Sequence, residues 1–280
     1  MSKTARRVAL LWAVALVWPV LCAAAPGEAA IRGARGEPVA RAAVRWSDLA
    51  RQKVEARARD SREEARDDPM PIPMDLPVPA GALVRRQIRP EAVPRPADLP
   101  PSPAPAASFV ALPDSGLAMP PDTHGAVGRN HLMVTLNSEI RVQDKNGSAL
   151  STMTLLQFWQ SASGLVDLSD PRVVYDPYGD RWITTAIASP GSAQSALMVG
   201  VSQTGDPIGA WNLYKVDADS TDQVWVDFPS LGFNKNWIVV QGNMFSVSEG
   251  SFKGSQIWVF SRANLYAGGS GAYTLLSDDT

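Results

Sequence analysis

Cysteine is nearly missing from this sequence: its one thiol, Cys22, lies at the end of an apolar run near the N-terminus. Loss of that run would leave no cysteine, which excludes disulfides and thiol chemistry from the remainder. Histidine is almost as scarce, with only His124 and His131. Two imidazoles without a thiolate make a poor zinc set. His124, beside Asp122, is left as a candidate acid, base or metal ligand, and His131 as a packing residue. No P-loop, HExxH helix or G-x-S-x-G elbow occurs. A net charge of −2 gives no electrostatic footing for nucleic acid. The apolar run Val8 to Leu21, 14 residues long, is too short for a comfortable membrane span.

That run is better read as a targeting signal. Lys3, Arg6 and Arg7 precede it and Cys22-Ala23-Ala24-Ala25 follow it, the pattern of a cleavable signal peptide over residues 1–24. The expectation is a secreted protein (extracellular, periplasmic or cell-surface) with no membrane span after cleavage. A lipid anchor on Cys22 would want a smaller residue than Leu21 before it.

Residues 25–68 form a charged, Ala/Arg-rich arm. Ala42 to Asp67 has helical composition, with Arg59/Glu63 at i,i+4 spacing, but only Val44, Trp46, Leu49 and Val54 to bury. The expectation is a solvated, partly helical or disordered arm. Residues 69–107 follow as a linker, with 12 prolines between Pro69 and Pro105, a density that no ladder or helix survives. The folded region is expected from about Ser108. There the balance turns acidic, 9 Lys/Arg against 16 Asp/Glu over 108–280, which favours cations or cationic surfaces as charged ligands.

Within 108–280 one unit is written repeatedly. DPRVVYDPYGDRWITTAIA, ALMVGVSQ and WNLYKV are answered by DFPSLGFNKNWIVVQGN, QIWVFSR and AYTLL. Asp170 aligns with Asp227, Trp182 with Trp237, Ser202 with Ser261 and Trp211 with Tyr273. PPDTHGAVGRNHLMVTLNSEIRVQDKNG is a divergent third copy, with Asp122 for Asp170 and His131 for Trp182. Each copy holds four short β-prone runs, the anatomy of a propeller blade. The reading is all-β: four-stranded β-propeller blades, about three visible (120–150, 170–216 and 227–277), after a disordered or partly helical N-terminal arm. Because closed propellers need four blades or more, the visible propeller is incomplete, and the expectation is a fragment of a longer protein, the alternative being an arc completed by another chain. Trp182 and Trp237 are expected to pack between blades, and Phe158 and Trp159 to plug the core.

The PPDTHGAVG, SDPRVVYDPYGDRW and WVDFPSLGFNKNWIVV segments, in that order, resemble a group of secreted bacterial β-propeller proteins with a PPDTxGAVG-type opening. That group is similar to the sialidase superfamily in architecture. The resemblance spans about 108–280, implies the propeller fold, and implies no settled activity.

Asp122, Asp170 and Asp227 recur at one blade position and are therefore expected at one level around the propeller axis. There they would either gather a cation or substrate hydroxyls, or cap their own turns. Asp217, Asp219 and Asp222 have the spacing of a Ca²⁺ loop but lack the EF-hand glycine and glutamate, so a solvated acidic loop competes. Arg141, Arg172, Arg181 and Arg262 are available to a sialidase-type site, yet no arginine repeats between copies and no SxDxGxxW box occurs. The functional expectation is an exported binding module for carbohydrate, protein or cell-envelope material. The alternative is a sialidase-like glycosidase or other hydrolase completed by further blades.

Overall fold

The structure is a computed structural model and describes residues 32–51, 103–105, 107–164 and 166–277. The expected signal peptide and most of the proline-rich linker lie outside the described residues.

Three antiparallel sheets follow one another along the chain. The first blade is β3 (His124–Val127), β4 (His131–Thr135), β5 (Glu139–Asp144) and β6 (Ala149–Thr154), in that spatial order. The second is β7 (Leu168–Asp176), β8 (Arg181–Ala188), β9 (Ala196–Ser202) and β10 (Ala210–Asp217). The third is β11 (Val224–Phe233), β12 (Trp237–Ser246), β13 (Phe252–Ser261) and β14 (Tyr273–Ser277). The first strands, β3, β7 and β11, lie beside one another across blades. Four-stranded meanders whose first strands adjoin are propeller blades.

Each pair of blades clamps an apolar layer. Between the first two lie Met133, Ile140, Trp182, Met198 and Trp211, joined by Phe158 and Trp159 from α2 (Leu155–Ser163). Both aromatics are fully buried plugs, as their sequence suggested. Thr154 starts that helix with a capping box: its hydroxyl accepts from the Gln157 N–H, and the Gln157 side chain accepts from the Thr154 N–H. Between the second and third blades lie Ile183, Val199, Val201, Ile238, Val240, Trp258 and Phe260.

The N-terminal arm departs from expectation. β1 (Arg32–Gly36) pairs with β14, and β2 (Ala40–Arg45) pairs with β10, so the arm adds a fifth strand to the third and second blades. The alternation ARAAVR, half-buried then exposed, is strand periodicity that the helix-forming composition conceals. A short helix, α1 (Trp46–Ala50), then buries Trp46 and Leu49. The few apolar residues of the arm are therefore anchors: Trp46 packs on Phe158, ring centroids 5.8 Å apart, and its Nε1–H donates to Ser151 Oγ at 2.8 Å. The two strands also cover the outer edges of β10 and β14, whose N–H and C=O groups would otherwise stand unpaired. Of the helix expected over 42–67, residues 42–45 are strand, 46–50 are helical and 52–67 lie outside the described residues, while folded structure includes residues well before Ser108.

The repeat alignment is corrected by one residue. Arg172 faces Thr185 in the second blade and Ser230 faces Gln241 in the third, each immediately after a bulge. Counting from these pairs, Trp182 corresponds to Ile238, not Trp237, and Asp170 corresponds to Phe228, not Asp227. Trp182 and Ile238 both face the preceding blade. Trp237 points to the opposite side and is 46% exposed, because a one-residue slip reverses the face of a strand. In the first blade the same count sets Leu132, not His131, opposite Trp182. The Trp211–Tyr273 equivalence stands, since Trp211 pairs with Ser202 and Tyr273 with the corresponding Phe260.

Candidate functional site

The candidate site forms where the three inner strands begin. Asp122, Asp170 and Phe228 occupy equivalent positions and share left-handed backbone, with φ of 46°, 51° and 48°. Asp tolerates that region better than most residues, because its short polar side chain bonds locally. Proline follows Asp170 and Phe228 alike, as Pro171 and Pro229, and both rings are buried. The turn is therefore shared while the side chain at its apex changes.

Asn137, buried in the loop after β4, joins the first two apices. Its amide donates to Asp122 Oδ2 at 2.6 Å and to the Pro120 carbonyl at 2.9 Å, and its Oδ1 accepts from the Asp170 N–H at 2.7 Å. The carboxyl of Asp170 hydrogen-bonds that of Asp122, and Asp170 Oδ2 accepts from the Phe228 N–H at 3.1 Å. One chain of polar contacts thus links the three blades at their inner edge. Burial, the Asp122 hydrogen bond and the charges of Asp227 and Asp122 push the Asp170 carboxyl up to about 8, against the opposing pull of Arg172. The Asp170 carboxyl therefore holds its proton at neutral pH.

Basic groups complete the cluster. His124 Nδ1 accepts from the Val173 N–H at 3.2 Å. Burial, and then the charge of Arg172, keep its imidazole below the usual histidine range. The ring is accordingly neutral at pH 7, with its proton on Nε2. The Arg172 guanidinium lies over the Phe228 ring, 4.8 Å from its centroid. An acid, carboxylates, a neutral imidazole and a guanidinium thus stand together, a set able to hold hydroxyl groups and to move protons.

Sequence alignment brought Asp122, Asp170 and Asp227 together, and the structure gathers all three, with Asp227 one residue before the equivalent apex. Asn137 and Phe228 escaped notice. Alignment on the shared prolines rather than on the aspartates would have revealed Phe228; Asn137 leaves no signal in a single sequence.

Asp217, Asp219 and Asp222 do not converge on a common point. Both Asp219 oxygens serve the loop itself, accepting from the Thr221, Gln223 and Val224 N–H groups and from the Thr221 hydroxyl. Among the described residues no group of three or more His, Cys, Asp or Glu side chains is placed to hold a metal ion. The other arginines have local work. Arg141 binds Thr152 and the Ala111 carbonyl, and Arg181 binds the Gly179 and Asp180 carbonyls. Arg262 pairs with the buried Asp176 at 2.6 Å. Asp176 also receives the Tyr178 and Gly179 N–H groups, so the DPYG segment is a turn closed by its own aspartate.

No family model and no curated protein matches the chain. Among solved structures it is similar to an arabinanase of Bacillus subtilis, at 14% identity and a TM-score of 0.28, over 50% of this chain and 65% of that one. It is also similar to a levansucrase of Bacillus subtilis, at 14% identity and a TM-score of 0.29, over 52% of this chain and 36% of that one. The chain thus spans less than two thirds of the length of either.

Proposed function

We propose that this chain is an exported β-propeller module that binds carbohydrate at the inner-edge site of Asp122, Asp170, Asp227, His124 and Arg172. The observation that carries the reading is the hydrogen-bonded chain from Asn137 through Asp122 and Asp170 to Phe228. It fixes donors and acceptors in place before any ligand arrives, so little ordering cost remains on binding. Sugars present closely spaced hydroxyls that both donate and accept. A protonated carboxyl beside an ionised one, an imidazole Nε2–H and a guanidinium match that pattern.

A second reading, hydrolysis of a glycosidic bond, is favoured by the proton on Asp170 close to the charge of Asp227. Asp170 would give its proton to the leaving glycosidic oxygen. Water would attack the anomeric carbon as Asp227 takes a proton from it, so one C–O bond breaks and one forms.

Calorimetric titration with cellotetraose, xylotetraose, chitotetraose and tetragalacturonate tests the proposal. At least one should bind, and Asp170→Asn should weaken it. Failure of all four would remove the carbohydrate reading. Release of reducing ends from the bound sugar, lost in Asp170→Asn and in Asp227→Asn, would turn the module into a hydrolase.

A further inference from the structure

Phe228 is the anomaly of the site. Where the first two blades carry Asp122 and Asp170, the third carries a bulky aromatic, and it keeps the left-handed backbone at φ 48°. For a residue of that size this conformation is an outlier that costs stability. The strain brings no burial in return, since Phe228 is 54% exposed. Its N–H is tied to Asp170 Oδ2 and the following Pro229 is buried, so the apex cannot relax. Arg172 lies over one face of the ring, and more than half of the residue still faces solvent. Outward-facing Trp237 differs: it has φ below zero, is not tied to the polar chain, and lies on the flank of its blade rather than at the inner edge.

We infer that Phe228 is the stacking platform of the carbohydrate site, taking the apolar C–H face of one sugar ring while Asp122, Asp170 and Arg172 take its hydroxyls. The inference rests on the carbohydrate reading above. It also narrows the substrate class to sugars with a flat C–H face, of glucose, xylose or N-acetylglucosamine type. The negative face of an aromatic ring attracts polarised C–H groups, and a rigid ring at a fixed apex spends little entropy in doing so. A neighbouring guanidinium adds hydrogen bonds at the ring's margin. The strained apex is then explained, because it holds the ring beside Asp170 and against Arg172.

The test combines affinity and stability in the full chain, with the same four tetrasaccharides as probes. Phe228→Ala should lower affinity for the bound sugar about tenfold, the scale of one aromatic contact, and Phe228→Trp should keep it. Phe228→Gly should lose affinity as Ala does, yet melt at a higher temperature than wild type, because glycine adopts φ 48° without strain. Binding unchanged in Phe228→Ala and Phe228→Gly, with Asp170→Asn still impaired, would overturn the platform and leave the site. A lower melting temperature in Phe228→Gly would mark Phe228 as structural and overturn it too. Absence of binding by wild type would overturn the carbohydrate reading itself.

Discussion

The Trp182 indole occupies the space that a β-carbon on Gly128 would need: that carbon would stand 2.5 Å from the nearest ring atom. Gly128 follows β3 in the first blade and Trp182 is the second residue of β8 in the second, so the contact keys one blade into the next. The indole Nε1–H also donates to the Gly205 carbonyl at 3.0 Å, which holds the ring in place. Gly128→Ala should therefore overpack the joint and cost about 1–3 kcal/mol. Trp182→Ala should leave a cavity worth about 3–5 kcal/mol. Trp237→Ala, at a half-exposed position, should cost about 1 kcal/mol or less. Urea unfolding of the three variants ranks them. An equal cost at Trp182 and Trp237 would contradict the register described above.

The N-terminal strands give a second expectation. Trp46 and Leu49 are almost fully buried, and β2 runs in unbroken register from Ala40 opposite Lys215 to Arg45 opposite Ala210. Trp46→Ala should cost about 3–5 kcal/mol. Limited trypsin digestion should spare the cleavage sites at Arg41 and Arg45 while the blades remain folded. Rapid cleavage at Arg41 would show that the strands do not hold to the blade edges.

Stability should fall as pH rises from about 4 to about 8. The Asp170 carboxyl is raised to about 8 in the folded chain, whereas an unfolded aspartate releases its proton near pH 3.9. Between those values the folded state binds the extra proton, so each step upward in pH favours unfolding. Asp144, Asp176 and Asp219 act in the opposite sense. Backbone and side-chain hydrogen bonds hold their carboxyls below the usual range, so the stability they contribute is lost as pH falls through their folded values. Asp170→Asn should flatten the decline between pH 4 and 8 and leave the acid side unchanged. His124, held below the usual histidine range, opposes the decline in the same interval, so the comparison is between the two chains: an Asp170→Asn profile parallel to that of wild type between pH 5 and 8 would mean that Asp170 carries no raised proton affinity.

Blade architecture was legible because four alternating runs with turn residues recur at nearly fixed spacing. The strand register was not. Asp227 and Trp237 matched Asp170 and Trp182 in chemistry, but the bulge after Ser169 and its counterpart after Asp227 decide which residue faces which side. Residue identity does not record a bulge. The strands at 32–36 and 40–45 were hidden for another reason. Their stability comes from edges supplied by β10 and β14, 165 or more residues away (Arg45 pairs with Ala210), and local propensity cannot report a distant edge. Asp122 and Asp170 were legible by repetition, and Asp227 only through an alignment one residue out of register. Phe228 broke the repetition, and for that reason it was passed over.

The outward face of the third blade carries the last prediction. Val199 and Val201 of the second blade are fully buried against the third. Their counterparts on the third blade, Ile257 and Val259, are only half-buried, and Val259 lines an open groove with Trp237 and Tyr273. Among the described residues no blade covers this face. A few hundred Å² of apolar surface, at about 25 cal/mol per Å², is worth several kcal/mol. Such a face should bind 8-anilinonaphthalene-1-sulfonate and promote association at high protein concentration. Val259→Lys should abolish most of the dye signal and leave the melting temperature near that of wild type, because its charge reaches water. Val201→Lys, the same change one blade earlier, should unfold the chain, because its charge would be buried without a partner. Equal destabilisation by the two lysines would mean that the third blade is covered in solution, and sedimentation of the wild-type chain would then show whether a second copy covers it.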